Sequence, residues 1–312
     1  MPESDSKFMR RVRAHQAWYR VHVLGREMFG RLTGSGSLCG SVLADADACE
    51  GLNFTSSDAL ASYEERRAKG WGVDPVRCTS YMTSSQTLTF NMLSDLQRHP
   101  DAAARLFGRL LGRSDLLTVE SVDFEFSGVQ SPYWLGDRTF IDALFRFRRQ
   151  DGGLQVVAVE TKLADRFSTR RTDAMGGLSY QRLSDGLQIW RDLAASLESN
   201  VTRQLTRCHA LAQSVQLLDG AAADESASLL VLLHPKDVSG RSQAEKYLAG
   251  LVEGEAAAVT WDVYLSDAEA TGALPRSLTD ALGVRYVDLS LSEEAWVAVE
   301  DSRRRRAVEV TA

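Results

Sequence analysis

Residues 139–163 read TFIDALFRFRRQDGGLQVVAVETKL, and this stretch decides how the rest of the chain is understood. Two runs rich in β-branched and aromatic residues flank Gln150-Asp151-Gly152-Gly153, and Asp-Gly-Gly is a strong hairpin signal. The first run, 139–147, carries one acid, Asp142; the second, 154–163, is largely apolar until Glu160-Thr161-Lys162. A fully buried strand is almost continuously apolar, so acids at these two places need a reason.

Strand geometry supplies one. Side chains alternate faces along a strand, so Glu160 and Lys162 share a face and Thr161 points the other way. If the runs pair across the turn, Asp142 lies opposite that face, and two carboxylates and an ammonium converge at the end of a ribbon. Carboxylates so placed repel, and burial raises their pKa. A divalent cation relieves both problems, and Mg²⁺ favours one or two carboxylates with waters and phosphate oxygens. The lysine can orient or deprotonate an attacking water, or offset charge that develops in a transition state.

An Asp on one strand followed by Glu-x-Lys at the end of the next resembles the PD-(D/E)xK nuclease superfamily. Further text is similar to a bacterial branch of it: Ser84-Ser85-Gln86 with Phe90-Asn91, Arg203-Gln204-Leu205 with Arg207-Cys208-His209, and the earlier Gln16-Ala17-Trp18-Tyr19-Arg20 and Gly51-Leu52-Asn53-Phe54. The resemblance spans about residues 10–235; the superfamily's proline before the Asp is Ile141 here. It implies an α/β restriction-endonuclease-like core with a mixed central β-sheet flanked by helices. It also implies that Asp142 and Glu160 hold Mg²⁺ or Mn²⁺, with the main-chain carbonyl of Thr161 as a further ligand. Lys162 would act on the water, and Gln204 would support Lys162 or a phosphate oxygen. Ser85 and Gln86 would lie near the phosphate path, though capping of the helix they open accounts for them too.

The chain has 312 residues, 44% hydrophobic and 25% charged, the composition of an ordinary globular protein. No run approaches the roughly 18 apolar residues of a membrane span, and 1–16 has no apolar core of a secretory signal. Cys39, Cys49, Cys78 and Cys208 show neither CxxC pairing nor zinc spacing, so free thiols in a reducing cytoplasm are expected. The net charge of −6 counts against a surface that is wholly a nucleic-acid footprint, but not against basic groups gathered in one cleft.

Apolar periodicity predicts helices over 8–31, 57–69, 84–97, 101–111, 201–218 and 241–253. Lys7, Arg10, Arg11 and Arg13 make the first of them basic at its start, as a solvated face would be. Alternation predicts a strand over 119–126, with Glu125 either a third site carboxylate or part of a solvated polar face. Residues 228–234 read as a buried parallel strand, and 259–265 and 285–291 as strands that extend the sheet. Arg166, Arg170 and Arg171 follow the ribbon and could track a phosphate backbone or be an exposed charged loop. Arg203 and Arg207, near the buried stripe of the 201–218 helix, are further candidates for substrate contact. Residues 172–200 look like an insertion, His209 like a structural or surface residue, and Arg303–Arg306 like a solvated end.

The expected organisation is an N-terminal helical and loop region over 1–75, the nuclease-like core over 76–235, and a C-terminal α/β extension with a basic tail over 236–312. The expected function is metal-dependent hydrolysis of phosphodiester bonds, most readily of DNA, with restriction or defence against foreign DNA as its setting. A homo-oligomer or a protein partner is compatible with this. The alternative is a non-catalytic nucleic-acid-binding or assembly protein on the same fold, because fold alone does not establish function.

Overall fold

The structure, a computed structural model, describes residues 5–129, 131–136, 138–169, 180, 183, 188–219, 226–252 and 256–311, with the backbone alone for 306–311. The described chain opens with α1 (Lys7–His22), α2 (Asp45–Cys49), α3 (Ser57–Ala68), α4 (Pro75–Ser80), α5 (Ser85–Leu93), which tightens into a 3-10 helix over Ser94–Arg98, and α6 (Pro100–Leu111). A meander of β1 (Leu116–Ser127), β2 (Phe140–Arg149) and β3 (Leu154–Lys162) follows. Then come α7 (Leu193–Glu198), α8 (Arg203–Asp219), β4 (Ser228–Leu233), α9 (Val238–Ala249), β5 (Ala256–Thr260), α10 (Trp261–Thr271), α11 (Arg276–Leu282) and α12 (Glu293–Thr311).

The strands form one mixed sheet in the order β1-β2-β3-β4-β5. β1–β2 and β2–β3 are antiparallel; β3–β4 and β4–β5 are parallel. A parallel step needs a long crossover, which α8 provides between β3 and β4. The β2–β3 turn closes where the sequence places it: Gly152 has φ +86°, and Gly153 N donates to Asp151 Oδ1 at 2.9 Å. β3 is buried at every position, as expected for a strand covered on both faces.

Alternation divides the core between those faces. Phe145, Phe147, Val157, Val159, Leu230 and Leu232 pack toward α5, α6 and α10. Leu144, Val156, Ala158, Leu229 and Val231 pack toward α8, through Leu205, Cys208, Ala212 and Val215. α6 is bounded by Pro100 in its first turn and by Gly112, left-handed at φ 68°, past its end. Its Phe107 ring lies 4.6 Å from Phe145 and 5.0 Å from Phe147. A buried side chain of this kind contributes about 1.5–3 kcal/mol. The first cluster runs from Val12 to Leu289, so both chain ends join the core that supports the meander.

Several expectations need correction. Residues 261–265 open a helix, α10, because Trp261, Tyr264, Leu265 and Ala268 are buried at helical spacing. The 285–291 segment is helical too, a turn at Gly283–Val287 followed by Leu289–Ser292, and it packs on α1. α1 ends at His22, well short of residue 31. Its basic start is a solvated face only in part: Lys7 is exposed, but Arg11 is buried and donates to Ser292 Oγ at 2.8 Å and to the Leu289 carbonyl. Of the 172–200 segment, residues 172–179, 181–182 and 184–187 lie outside the described residues; Tyr180, Leu183 and Trp190 are buried in the second cluster, and Trp190 donates to Tyr247 OH at 3.2 Å. The basic end is helical, with Arg303, Arg304 and Arg305 exposed on α12.

Candidate active site

Register builds the site. Phe124↔Ala143 and Phe126↔Ile141 bracket Glu125 and set it across from Asp142. Ala143↔Val159 is the last pair of the next ladder, and continuing that register by one step sets Asp142 across from Glu160, whose charge acts on it. Three acids therefore lie in one row across three adjacent strands, where directly opposed residues carry Cβ atoms about 4.5–5.5 Å apart. Lys162 follows Glu160 by one strand repeat and shares its face.

Each acid is held differently. Lys162 Nζ lies 2.7 Å from Glu160 Oε1, with the carboxylate fully buried and the ammonium nearly so. Gln204 at the start of α8 donates through Nε2 to the same oxygen, and its own Oε1 accepts from Ser168 N. Cys208 Sγ, one turn further on, lies 3.5 Å from Glu160 Oε2. Asp142 Oδ2 accepts from Thr161 N at 2.7 Å and from Thr161 Oγ1 at 3.0 Å. Thr161 points away from Glu160, as alternation requires, and its hydroxyl meets Thr89 Oγ1 of α5 at 2.6 Å.

Glu125 is the outlier. It has φ +48°, the one positive value at a non-glycine among the described residues, in a region costly for an L side chain. Arg66 braces that turn of backbone, donating to the carbonyls of Phe124 at 2.7 Å and Glu125 at 2.9 Å. Glu125 Oε1 is buried without a hydrogen-bond partner.

The electrostatics follow. Burial, then Glu160, push Asp142 up to about 7 against the opposing pull of Lys162 and the Thr161 donors. Burial, then Asp142, push Glu125 well above the usual carboxylate range. Burial alone would lower Lys162, but Glu160 and Asp142 outweigh it and hold the ammonium charged.

Asp142 and Glu125 open onto a cleft of about 420 Å³. Ser84, Ser85 and Gln86 at the start of α5 line it, with Arg13, Arg77 and Asp165. Ser84 is the N-cap, accepting from Thr87 N. Gln86 ties down the preceding loop, donating to the Gly72 carbonyl at 3.0 Å and accepting from Asp74 N at 3.1 Å. Arg13 pairs with Asp5 at 2.8 Å. Burial raises Asp165, while Lys162, Arg13 and Arg77 oppose that shift.

The structure thus brings together Asp142, Glu160, Thr161, Lys162 and Gln204, and sets Ser85 and Gln86 on the wall of the adjoining cleft. Arg203 and Arg207 do not line that cleft and are buried. Arg203 is spent on main chain, donating to the carbonyls of Leu197 at 2.7 Å and Thr169 at 2.9 Å. Arg166 is exposed beside the ribbon; Arg170 and Arg171 lie outside the described residues. His209 is structural, its ring nitrogens meeting Tyr247 OH at 2.7 Å and the Ala227 carbonyl at 2.8 Å. Arg13, Arg77 and Asp165 are the residues that sequence reasoning missed. The basic start of α1, and an acid three residues after Lys162, were the available signals.

A family profile described as the PD-(D/E)XK nuclease superfamily matches residues 3–288. The chain belongs to that superfamily. Neither the curated proteins nor the solved structures compared with the chain include a match. Members of the superfamily are generally nucleases that cleave phosphodiester bonds with divalent metal ions such as Mg²⁺, and the mixed sheet flanked by helices agrees with their restriction-endonuclease-like fold. No helix among the described residues is long and apolar enough to cross a membrane.

Proposed function

We propose that this chain is an active nuclease that hydrolyses DNA with Mg²⁺ or Mn²⁺, and that Asp142, Glu160 and Lys162 are its centre. One observation carries the reading: acids stand opposite one another on three neighbouring strands, and the middle one is charged only at high cost without a cation. Among the described residues no group of three His, Cys, Asp or Glu side chains forms a ready-made metal site. The residues nevertheless fit a hard divalent ion, because the donors are oxygens and Glu125 Oε1 is buried with no partner of its own.

Asp142, Glu160 and the Thr161 carbonyl would hold the ion, with Glu125 beside them. Bound there, the ion would polarise the scissile phosphate and lower the pKa of water. The chain's own groups do the rest. Lys162, fixed on Glu160, presents an ammonium to the attacking water or the phosphate. Gln204 holds Glu160 in place from the other side. Ser85, Gln86, Arg13 and Arg77 offer hydroxyl, amide and guanidinium donors along the cleft where a strand would run, and Arg166 extends that path. We further infer a bacterial, cytoplasmic enzyme acting in restriction or defence, a reading supported by the likeness of the Ser84–Asn91 and Arg203–His209 segments to a bacterial branch.

A second reading has its own observation. Glu160 and Lys162 form a buried ion pair, which could simply close a strand end in a protein that binds nucleic acid without cutting it. Incubating purified protein with DNA and with RNA, in Mn²⁺, Mg²⁺ or EDTA, separates the two. Cleavage of DNA that EDTA abolishes is expected; intact nucleic acid in every ion would leave the second reading.

A further inference from the structure

Next to the catalytic cleft lies a separate cavity of about 520 Å³, within the roughly 300–1,000 Å³ typical of ligand sites. It forms where α1, the segment after β3, the start of α9 and α12 meet. Three aromatic side chains line it: Phe8, Phe167 and Trp296. Lys7, Arg166 and Lys236 are exposed at its edge. Apart from Asp165 and Arg166, the residues of the hydrolytic site described above do not line it.

Its place is informative. Asp165 lines both this cavity and the catalytic cleft, so the two adjoin through one residue. Phe167 is nearly fully buried, and its ring centroid lies 5.3 Å from Lys162 Nζ. A flat group resting on the cavity side of Phe167 would be one ring away from the lysine. The start of α9 does not serve as an anion site here, because Asp237 Oδ1 already takes the Gly240 N–H at 2.9 Å. Any phosphate must be met by the lysines and the arginine at the edge.

We propose that this cavity receives one unstacked nucleotide of the substrate strand, its base against the aromatic side chains and its phosphate toward Lys7, Arg166 and Lys236. The chemistry is that of single-strand recognition, in which aromatic faces take bases and cations follow the backbone. On a chain of net charge −6, three exposed cations line this aromatic cavity beside the cleft, against two carboxyls, Asp165 and Asp237, that burial pushes toward the neutral form; that balance favours a nucleotide over an uncharged apolar ligand. The inference rests on the nuclease reading, since the strand is brought to the cavity by the cleft.

The test uses single-stranded DNA carrying 2-aminopurine at one position at a time, titrated with the full-length protein in EDTA, where no cutting occurs. Stacking quenches the probe. Quenching at one or two adjacent positions is expected, with about tenfold weaker binding in Trp296→Ala and recovery in Trp296→Phe. Free 2-aminopurine nucleoside 5′-monophosphate is titrated in parallel. If it quenches and displaces the strand while no strand position quenches, the cavity holds a free nucleotide and the strand assignment is overturned. Absence of quenching by either probe, or quenching unchanged in Trp296→Ala, overturns the site itself. Mn²⁺-dependent cleavage by the same preparations keeps the two readings apart: cutting without quenching sinks only the cavity, whereas absence of both sinks the nuclease reading as well.

Discussion

Asp142 and Glu160 face each other across β2 and β3, yet they are held by unlike means. Glu160 has a cation and an amide on one oxygen, from Lys162 and from Gln204 on α8. Asp142 has only neutral donors, the amide and hydroxyl of Thr161, backed by Thr89 on α5. One carboxylate is compensated before any metal arrives; the other is not. The row therefore divides its labour. Glu160 is pre-ordered and keeps Lys162 in position, while on the proposed reading Asp142, beside a Glu125 whose Oε1 is buried without a partner, would supply the unmet negative charge that attracts a cation.

The largest expected effects test that division directly. Asp142→Ala and Glu160→Ala should each slow cleavage by about 10³-fold or more, since each removes an oxygen ligand. Their stabilities should part company. Glu160→Ala strands Lys162 as a buried unpaired charge and should cost about 3–5 kcal/mol, whereas Asp142→Ala strands none. Equal melting shifts in denaturant titrations of the two variants would break the comparison. Lys162→Gln leaves Glu160 an N–H donor but no ammonium. It should retain calorimetric Mn²⁺ binding while cleaving about 10²-fold more slowly. Lys162→Arg should not rescue it, because a guanidinium is bulkier and does not give up its proton.

How much of this was legible beforehand depends on the range of the interaction. The β2–β3 ribbon, its Gly-Gly turn and the shared face of Glu160 and Lys162 are local facts, set by period-two alternation, and the structure agrees with them. The row itself could be foreseen only in part. Glu125 alternates with Phe124 and Phe126 in a way that fits a solvated face as well as a site, and only the β1–β2 register puts it opposite Asp142. The arginines show the limit most clearly. Arg203 lies beside a site residue in sequence but is consumed by main-chain carbonyls. Arg13 lies 129 positions before Asp142 in the numbering yet shares its cleft. A guanidinium carries no local mark of whether carbonyl or phosphate will meet it. The 259–265 segment misleads for another reason: its Val, Tyr and Leu suit a strand, while burial at Trp261, Tyr264, Leu265 and Ala268 selects a helix.

A stability effect of intermediate size concerns pH. Asp142 is raised from 3.8 to about 7 in the folded protein, chiefly by burial and then by Glu160. A carboxyl raised on folding favours the fold while protonated, so its contribution is complete below the unfolded pKa and is lost as pH rises through the folded one. Metal-free protein should therefore lose stability between about pH 4 and pH 7, by at most about 4 kcal/mol from this group. Asp142→Asn should remove that slope and melt higher than the parent at pH 8, with the two curves meeting near pH 4. Saturating Mn²⁺ should reverse their order at pH 8. A metal-free parent whose stability does not change across this window would show that Asp142 carries no such strain.

The smallest effect sharpens the comparison best, because it reaches Asp142 without touching it. The Thr161 hydroxyl has one proton, and when Asp142 is ionised that proton is given to Oδ2. Thr161 Oγ1 then accepts from Thr89, whose single proton is shared with the Ser85 carbonyl 2.9 Å away, so α5 steadies the charged form of Asp142 through a relay of two hydroxyls. Thr89→Val keeps the shape and breaks the relay, leaving a buried acceptor unmet at a cost of about 1–3 kcal/mol. Partners that orient a ligand in this way are worth about 10–100-fold in metal affinity, and the low end applies because Thr161 N still holds Asp142. Mn²⁺ should bind about tenfold more weakly to Thr89→Val, and cleavage should return close to the parent rate once the ion is saturating. Gln204→Ala should do the converse, slowing cleavage at saturating Mn²⁺ because it loosens Glu160 and with it Lys162. If the two variants instead shift affinity and rate alike, the two carboxylates are equivalent in use, however differently they are held.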